Sequence, residues 1–168
     1  MLMREVAESF QALEGTTKRR QMTQILAALF RKASKEDVDK IIYLLHGQLG
    51  APFEAPDFGV NERLILMALA DATGRHLSEV ERLYKKKGDL GLAGQELLPA
   101  KSEGLELDEV YRTLWEVAEA GGPGAHERKI ALVSNLIKRS SGLEVKYILR
   151  MLQGHLRLGV GDATIMDA

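Results

Sequence analysis

The chain has 168 residues, 45% hydrophobic and 28% charged, with a formal net charge of −1. That mixture predicts one soluble globular domain; no apolar run approaches the roughly 18 residues a membrane helix needs, and no basic-then-apolar leader predicts export. The absence of cysteine excludes disulfides and thiolate metal sites, and the near-neutral total makes no compositional case for nucleic acid.

Residues 4–13 place Val6, Phe10 and Leu13 on one face, which predicts a short amphipathic helix. Glu14-Gly15-Thr16-Thr17 ends it, and a threonine is expected to cap the next helix by accepting from a free amide. Residues 18–32 carry a helical stripe of Met22, Ile25, Leu26, Leu29 and Phe30. Ser34 caps a third helix lined by Val38, Ile41, Ile42, Leu44, Leu45 and Leu49. Residues 50–58 hold Pro52 and Pro56 and read as a loop. Gly59-Val60-Asn61 opens a helix through Leu64, Ile65, Leu66, Met67 and Leu69, closed by Gly74.

A shorter helix spans 78–87, where Lys85-Lys86-Lys87 suits the C-terminal dipole and Gly88 is the stop. Residues 91–98 are weakly helical, and 101–104 form a polar linker. Asp108 is expected to cap a helix over 109–120 with Val110, Leu114, Trp115 and Val117 on its stripe, Trp115 being read as core. Gly121-Gly122-Pro123-Gly124 is the strongest break in the chain. A helix over 145–152 leads into Gly154-His155-Leu156-Arg157-Leu158-Gly159-Val160-Gly161-Asp162, after which a new helical pattern starts, with Asp162 expected at its cap. No segment alternates with period two, so the fold class is all-α, with about ten helices.

Charge is unevenly spread. Between His126 and Arg157 stand seven bases (Arg128, Lys129, Lys138, Arg139, Lys146, Arg150, Arg157) and two acids (Glu127, Glu144), a surplus of five. A basic face on this part of the chain is the expectation.

The chain also repeats itself. Residues 22–49 align without a gap on 129–156, with Leu29/Leu136, Ser34/Ser141, Val38/Val145, Ile41/Ile148, Leu45/Leu152, Gly47/Gly154 and Leu49/Leu156 identical. Downstream, Gly59-Val60 meets Gly159-Val160, so the proline-bearing loop is a seven-residue insertion in the first copy. The domain then divides into a first repeat over about 15–73, connecting helices over about 74–120 and a second repeat over about 121–168, two pseudo-symmetric halves of three helices each. A two-fold protein suits duplex DNA, whose backbones lie on either side of such an axis. Each copy offers two helix starts, whose free amides and positive dipole end suit phosphates. Such contacts read the backbone, so binding would be sequence-independent and salt-sensitive. The same bends also suit plain helix–turn–helix corners, and a helical protein-interaction scaffold without DNA binding is the alternative.

The motif Gly154-X-Leu156-Arg157-Leu158-Gly159-X-Gly161-Asp162 resembles the end of the N-terminal DNA-binding domain of archaeal and eukaryotic ATP-dependent DNA ligases. Gly59-Val60, Ala72-Thr73-Gly74-Arg75, Lys87-Gly88-Asp89-Leu90-Gly91 and Gly15-Thr16-Thr17-Lys18 are similar to further motifs of that family, in the family's order. The resemblance implies a non-catalytic module that lies across the minor groove on both sides of a nick in double-stranded DNA. With the catalytic domains of the same polypeptide it closes around the duplex in replication, repair and recombination. Carried over by motif, Thr16, Thr17, Arg157, Gly159 and Gly161 are implied phosphate contacts, with Gly59, Lys18, Arg19, His126, Arg128 and His155 as further candidates.

The chain has no Lys-X-Asp-Gly motif; Lys87-Gly88-Asp89 is not one. Adenylation chemistry, ATP and Mg²⁺ are therefore implied for the parent ligase and not for this stretch, which is expected to be a piece of a longer protein. Some archaeal relatives carry a sliding-clamp contact on a Gln and an aromatic pair; Gln95-Glu96-Leu97-Leu98-Pro99 has no such pair. The four histidines are scattered, so no metal site is expected, and the aspartates share no spacing for acid–base work. The expected location is cytoplasmic and nucleoid-associated if the source is prokaryotic, with no membrane partner.

Overall fold

A computed structural model describes residues 1–154 and 156–168; the candidate His155 lies outside the described residues. Among the described residues the chain runs as α1 (Met3–Glu14), α2 (Arg19–Lys32), α3 (Lys35–Leu45), α4 (Glu62–Thr73), α5 (Leu77–Lys87), α6 (Leu90–Leu97), α7 (Leu107–Glu119), α8 (Ala125–Lys138), α9 (Gly142–Leu152) and α10 (Asp162–Asp167). The fold is all-α, as the periodicity predicts. No helix among the described residues is long and apolar enough to cross a membrane.

Helix α9 forms the centre, with ten of its eleven residues buried. Helices α1 and α6 pack directly on it, α7 and α4 pack on α8, and α5 covers α4 and α6. The weak helical signal of α6 has a packing reason. Glycine is a poor helix former, but a Cβ on Gly91 would fall 2.6 Å from the Lys146 carbonyl oxygen, and one on Gly94 2.6 Å from Val145 Cγ1. Gly142 answers from α9, where a Cβ would fall 2.5 Å from the Gln95 carbonyl oxygen. These residues let α6 and α9 approach closely, and the approach replaces the propensity that the sequence lacks. The end of α6, including Gln95, is thereby held against α9.

Side-chain caps explain four of the described helix starts, and three expectations are corrected. Ser34, Asn61, Asp89 and Ser141 each accept from a backbone amide in the first turn of the helix that follows. Threonine does not cap α2. Its N-cap is Lys18, with no side-chain cap; Thr16 Oγ1 instead accepts from the Lys18 amide at 3.2 Å and donates to Gln21. Gly15 stays in right-handed helical geometry (φ −75°), so the chain leaves α1 through one further turn, which that hydroxyl closes. Helix α7 starts at Leu107 with Glu106 as its cap residue, and Asp108 lies within the first turn, paired with Lys40 and Arg112. Likewise Asp162 is the first residue of α10, after Gly161, and its carboxylate faces His46. Trp115 is half-buried against the core rather than within it, near Gly50.

The boundaries of α3 and α9 coincide at the offset of 107 residues, and α4 and α10 start 100 residues apart. Contacts come in matching pairs. Helix α4 lies on α8, and α2 on α10. Lys129 Nζ sits against Gly59, and Met22, its counterpart in the alignment, sits against Gly159. Gly47 and Gly154 touch: a Cβ on Gly47 would fall 2.3 Å from the Gly154 carbonyl oxygen, and both residues have positive φ (69° and 81°).

Candidate nucleic-acid interface

Helix α2 begins with three consecutive bases, Lys18, Arg19 and Arg20, all exposed. No side chain caps its first turn, so amides there remain open to an outside acceptor. Helix α8 begins after Gly124, in left-handed geometry at φ 80° and again without a side-chain cap, with His126 and Arg128 exposed. Gly161 leaves the start of α10 uncapped by a side chain as well. Helix α4 differs, because Asn61 Oδ1 takes the Leu64 amide at 2.9 Å.

The structure brings these starts together two by two. Arg19 Nη2 donates to Asp167 Oδ2 at 2.5 Å, tying the front of α2 to α10, and Met22 of α2 lies against Gly159. Lys129 Nζ donates to the carbonyls of Phe58 and Gly59, at 3.1 and 3.0 Å, tying the first turn of α8 to the bend before α4. His46 joins the end of α3 to the start of α10. Its Nδ1 lies 2.8 Å from the Ile42 carbonyl oxygen and its Nε2 2.8 Å from Asp162 Oδ1. Both ring nitrogens face acceptors, which only the imidazolium satisfies. The hydrogen bond to Asp162, then that to the Ile42 carbonyl, raise its pKa against the opposing effect of burial.

Arg157 is the one non-glycine residue with positive φ among the described residues, at 59°. Its flanking Leu156 and Leu158 are buried, while its own side chain is 56% exposed and lies 3.6 Å from Asp89.

The expected basic face over 126–157 is mostly absent. Lys146 and Arg150 are buried on α9. Lys146 Nζ donates to Glu14 at 3.2 Å, and Arg150 reaches both Glu14 and Asp89. Both cations also lie over the ring of Tyr147, at 5.2 and 5.8 Å from its centroid. Arg139 pairs with Glu109 and Glu103, and Lys129 is held by carbonyls. Of the seven bases, Arg128 and Lys138 have neither an ion pair nor a side-chain hydrogen bond among the described residues. Few acids lie nearby in sequence, whereas the partners come from α1, α7 with the linker before it, and the turn before α6. Burial pushes the Asp89 carboxyl up, but the Leu92 amide and the Arg150 and Arg157 guanidiniums outweigh it and hold the group below the usual carboxylate range. No group of three or more metal-ligating side chains is present among the described residues.

Residues 2–168 match the family model described as DNA ligase N terminus. The chain belongs to that family. It is 46% identical over 98% of its length to a DNA ligase of Pyrobaculum arsenaticum, 45% identical over 98% to one of Pyrobaculum islandicum, and 41% identical over 97% to DNA ligase 2 of Thermofilum pendens. It spans about 30% of the length of these relatives.

Two groups in this DNA ligase N-terminal domain escaped sequence reasoning. Glu14 reads as the first residue of the stretch that ends the first helix, yet it holds both α9 cations. Asp89 reads as a residue without a shared spacing, yet it caps α6 and meets Arg150 and Arg157. Besides its place in the Lys87-Gly88-Asp89-Leu90-Gly91 motif, the sequence signal for Asp89 is its position between Gly88 and a helical pattern, that of an N-cap.

Proposed function

We propose that this chain is the DNA-binding module of an ATP-dependent DNA ligase, and that it holds nicked duplex by its backbone across the minor groove. The observation that carries the reading is that the base-flanked, uncapped starts of α2 and α8 each meet a glycine bend, at Gly159 and Gly59, in a chain of this family. Lys18, Arg19 and Arg20 with the first amides of α2 form one anchor, beside Thr16, Thr17, Gly159 and Gly161. Gly59 with His126 and Arg128 forms the second. The reciprocal contacts of Gly59 with Lys129 and Gly159 with Met22, and the meeting of Gly47 with Gly154, support a two-fold relation between halves over about 15–73 and 121–168. Each half then faces one strand.

The module holds and bends the nick; the 3′-OH and 5′-phosphate are joined by catalytic domains that supply the lysine nucleophile and bind ATP and Mg²⁺. In that role the protein acts on the nucleoid in the cytoplasm. The large hydrophobic side chains left exposed among the described residues are Phe53 and Met166, which favours this reading over a scaffold built on an apolar face. Arg19 is not lost to the interface by pairing with Asp167, because both are exposed and such pairs contribute little. An electrophoretic titration on nicked duplexes of unrelated sequence tests the proposal. Equal affinity across sequences, falling steeply with salt, is expected; no binding at low salt, or an affinity indifferent to salt, overturns it.

A further inference from the structure

Arg157 combines three features that a free surface arginine does not need. Its backbone is left-handed at φ 59°, a conformation disfavoured for residues with a Cβ. Buried Leu156 and Leu158 pin the chain on both sides. A carboxylate, that of Asp89, lies beside its guanidinium although Asp89 is itself only 6% exposed. Strained backbone of this kind persists where the surroundings over-determine it.

The two oxygens of that carboxylate are used differently. Oδ2 accepts from the Leu92 amide at 2.9 Å and from Arg150 Nε and Nη2 at 3.2 and 3.0 Å. Oδ1 is turned to Arg157 Nη1 at 3.6 Å. Arg150 is in turn held by Glu14, which also takes Lys146. The result is a continuous line of alternating charge, Lys146–Glu14–Arg150–Asp89–Arg157, that starts inside α9 and ends at a guanidinium in solvent.

We infer that Asp89 is a positioning residue: anchored by Arg150 and by the first turn of α6, it fixes the direction in which Arg157 presents its guanidinium to a DNA phosphate. The inference rests on the DNA-binding reading above. Its consequence runs against simple charge counting, because removing a negative charge from a DNA-binding surface should here weaken binding. Pre-ordering the arginine removes part of the entropy lost when it grips a phosphate.

The test compares Asp89→Asn, Arg157→Ala and the double variant on one nicked duplex over a range of salt, with a thermal melt of each. Asparagine can still accept the Leu92 amide, so α6 keeps its cap. We expect Asp89→Asn to lower affinity several-fold, and to lower the salt slope by about 0.9, the loss of one phosphate contact. The double variant should be no worse than Arg157→Ala alone. Tighter or unchanged binding by Asp89→Asn overturns the inference, as do losses that add in the double variant. Nitrogen-15 relaxation at Arg157 Nε in the DNA-free wild type gives a readout that needs no variant to fold. An ordered guanidinium is expected, and motion like that of a free surface arginine overturns the proposal. Failure of the wild type to bind duplex sinks the DNA reading instead, and is seen separately.

Discussion

Helices α2 and α9 both carry bases, and they use them in opposite ways. On α9, Lys146 and Arg150 are buried, stacked on Tyr147 and matched to Glu14 and Asp89. On α2, Lys18 and Arg20 stand exposed at an uncapped helix start, with no ion pair among the described residues. The same residue types thus hold the fold together in one place and remain available to an anion in the other. A base counts toward an anion site only when the acids of the whole folded chain leave it free.

The largest expected effect comes from breaking the buried member of that comparison. Arg150→Ala leaves buried Asp89 with only the 3.6 Å ion pair to Arg157, and Glu14 with only Lys146, at a cost of up to about 3–5 kcal/mol. For a domain of this size the thermal midpoint should fall by roughly 6–20 °C, measured by circular dichroism. A midpoint within a degree or two of wild type would mean that the network does not hold α9 in place.

Next comes the meeting of the two halves. Gly47→Ala forces a left-handed φ on alanine and drives its Cβ into the Gly154 carbonyl. On the order of 2 kcal/mol or more should be lost, read from urea unfolding. A neutral result would show that the halves are free to separate at this point.

The exposed member should behave differently. Lys18→Ala with Arg20→Ala is expected to leave the melt unchanged and to reduce the slope of log affinity against log salt by nearly two, one contact each. A melting shift without a change of slope would move these bases from the interface to the fold.

The smallest effect concerns His46, which joins α3 to α10 through Asp162. Its pKa is raised in the folded chain, so its contribution is complete below the ordinary imidazole value, about 6.5, and is lost as pH rises through the folded value. The pair is exposed, so less than about 1 kcal/mol is expected. Unfolding free energies of wild type minus His46→Gln, followed from about pH 6 to about pH 8.5, should show the advantage of wild type shrinking. An advantage that grows with pH would contradict the assignment.

Much of this was legible in the sequence. The apolar stripes placed the helices, and the glycine bends at Gly59, Gly74 and Gly88 marked real termini. Ser34 acts as the cap it resembles, and Ser141, its partner in the aligned repeat, does the same for α9. Position was not legible where the deciding contact is distant in the chain: Lys146 meets a carboxylate 132 residues away, and Arg150 one 61 residues away. Helix α6 looked weak because its glycines serve contact with α9 rather than helix propensity. Among the candidate residues, Arg19 and Arg157 were identifiable as bases next to bends, but their partners Asp167 and Asp89 were not, since no local pattern links them.

The most direct measurement is strand-resolved hydroxyl-radical footprinting of this chain on a duplex with a single nick. Two halves facing two backbones predict protection on both strands, on both sides of the nick and offset across the minor groove, unchanged when the flanking sequence is altered. Protection confined to one strand, or protection that follows the sequence and ignores the nick, would contradict the account.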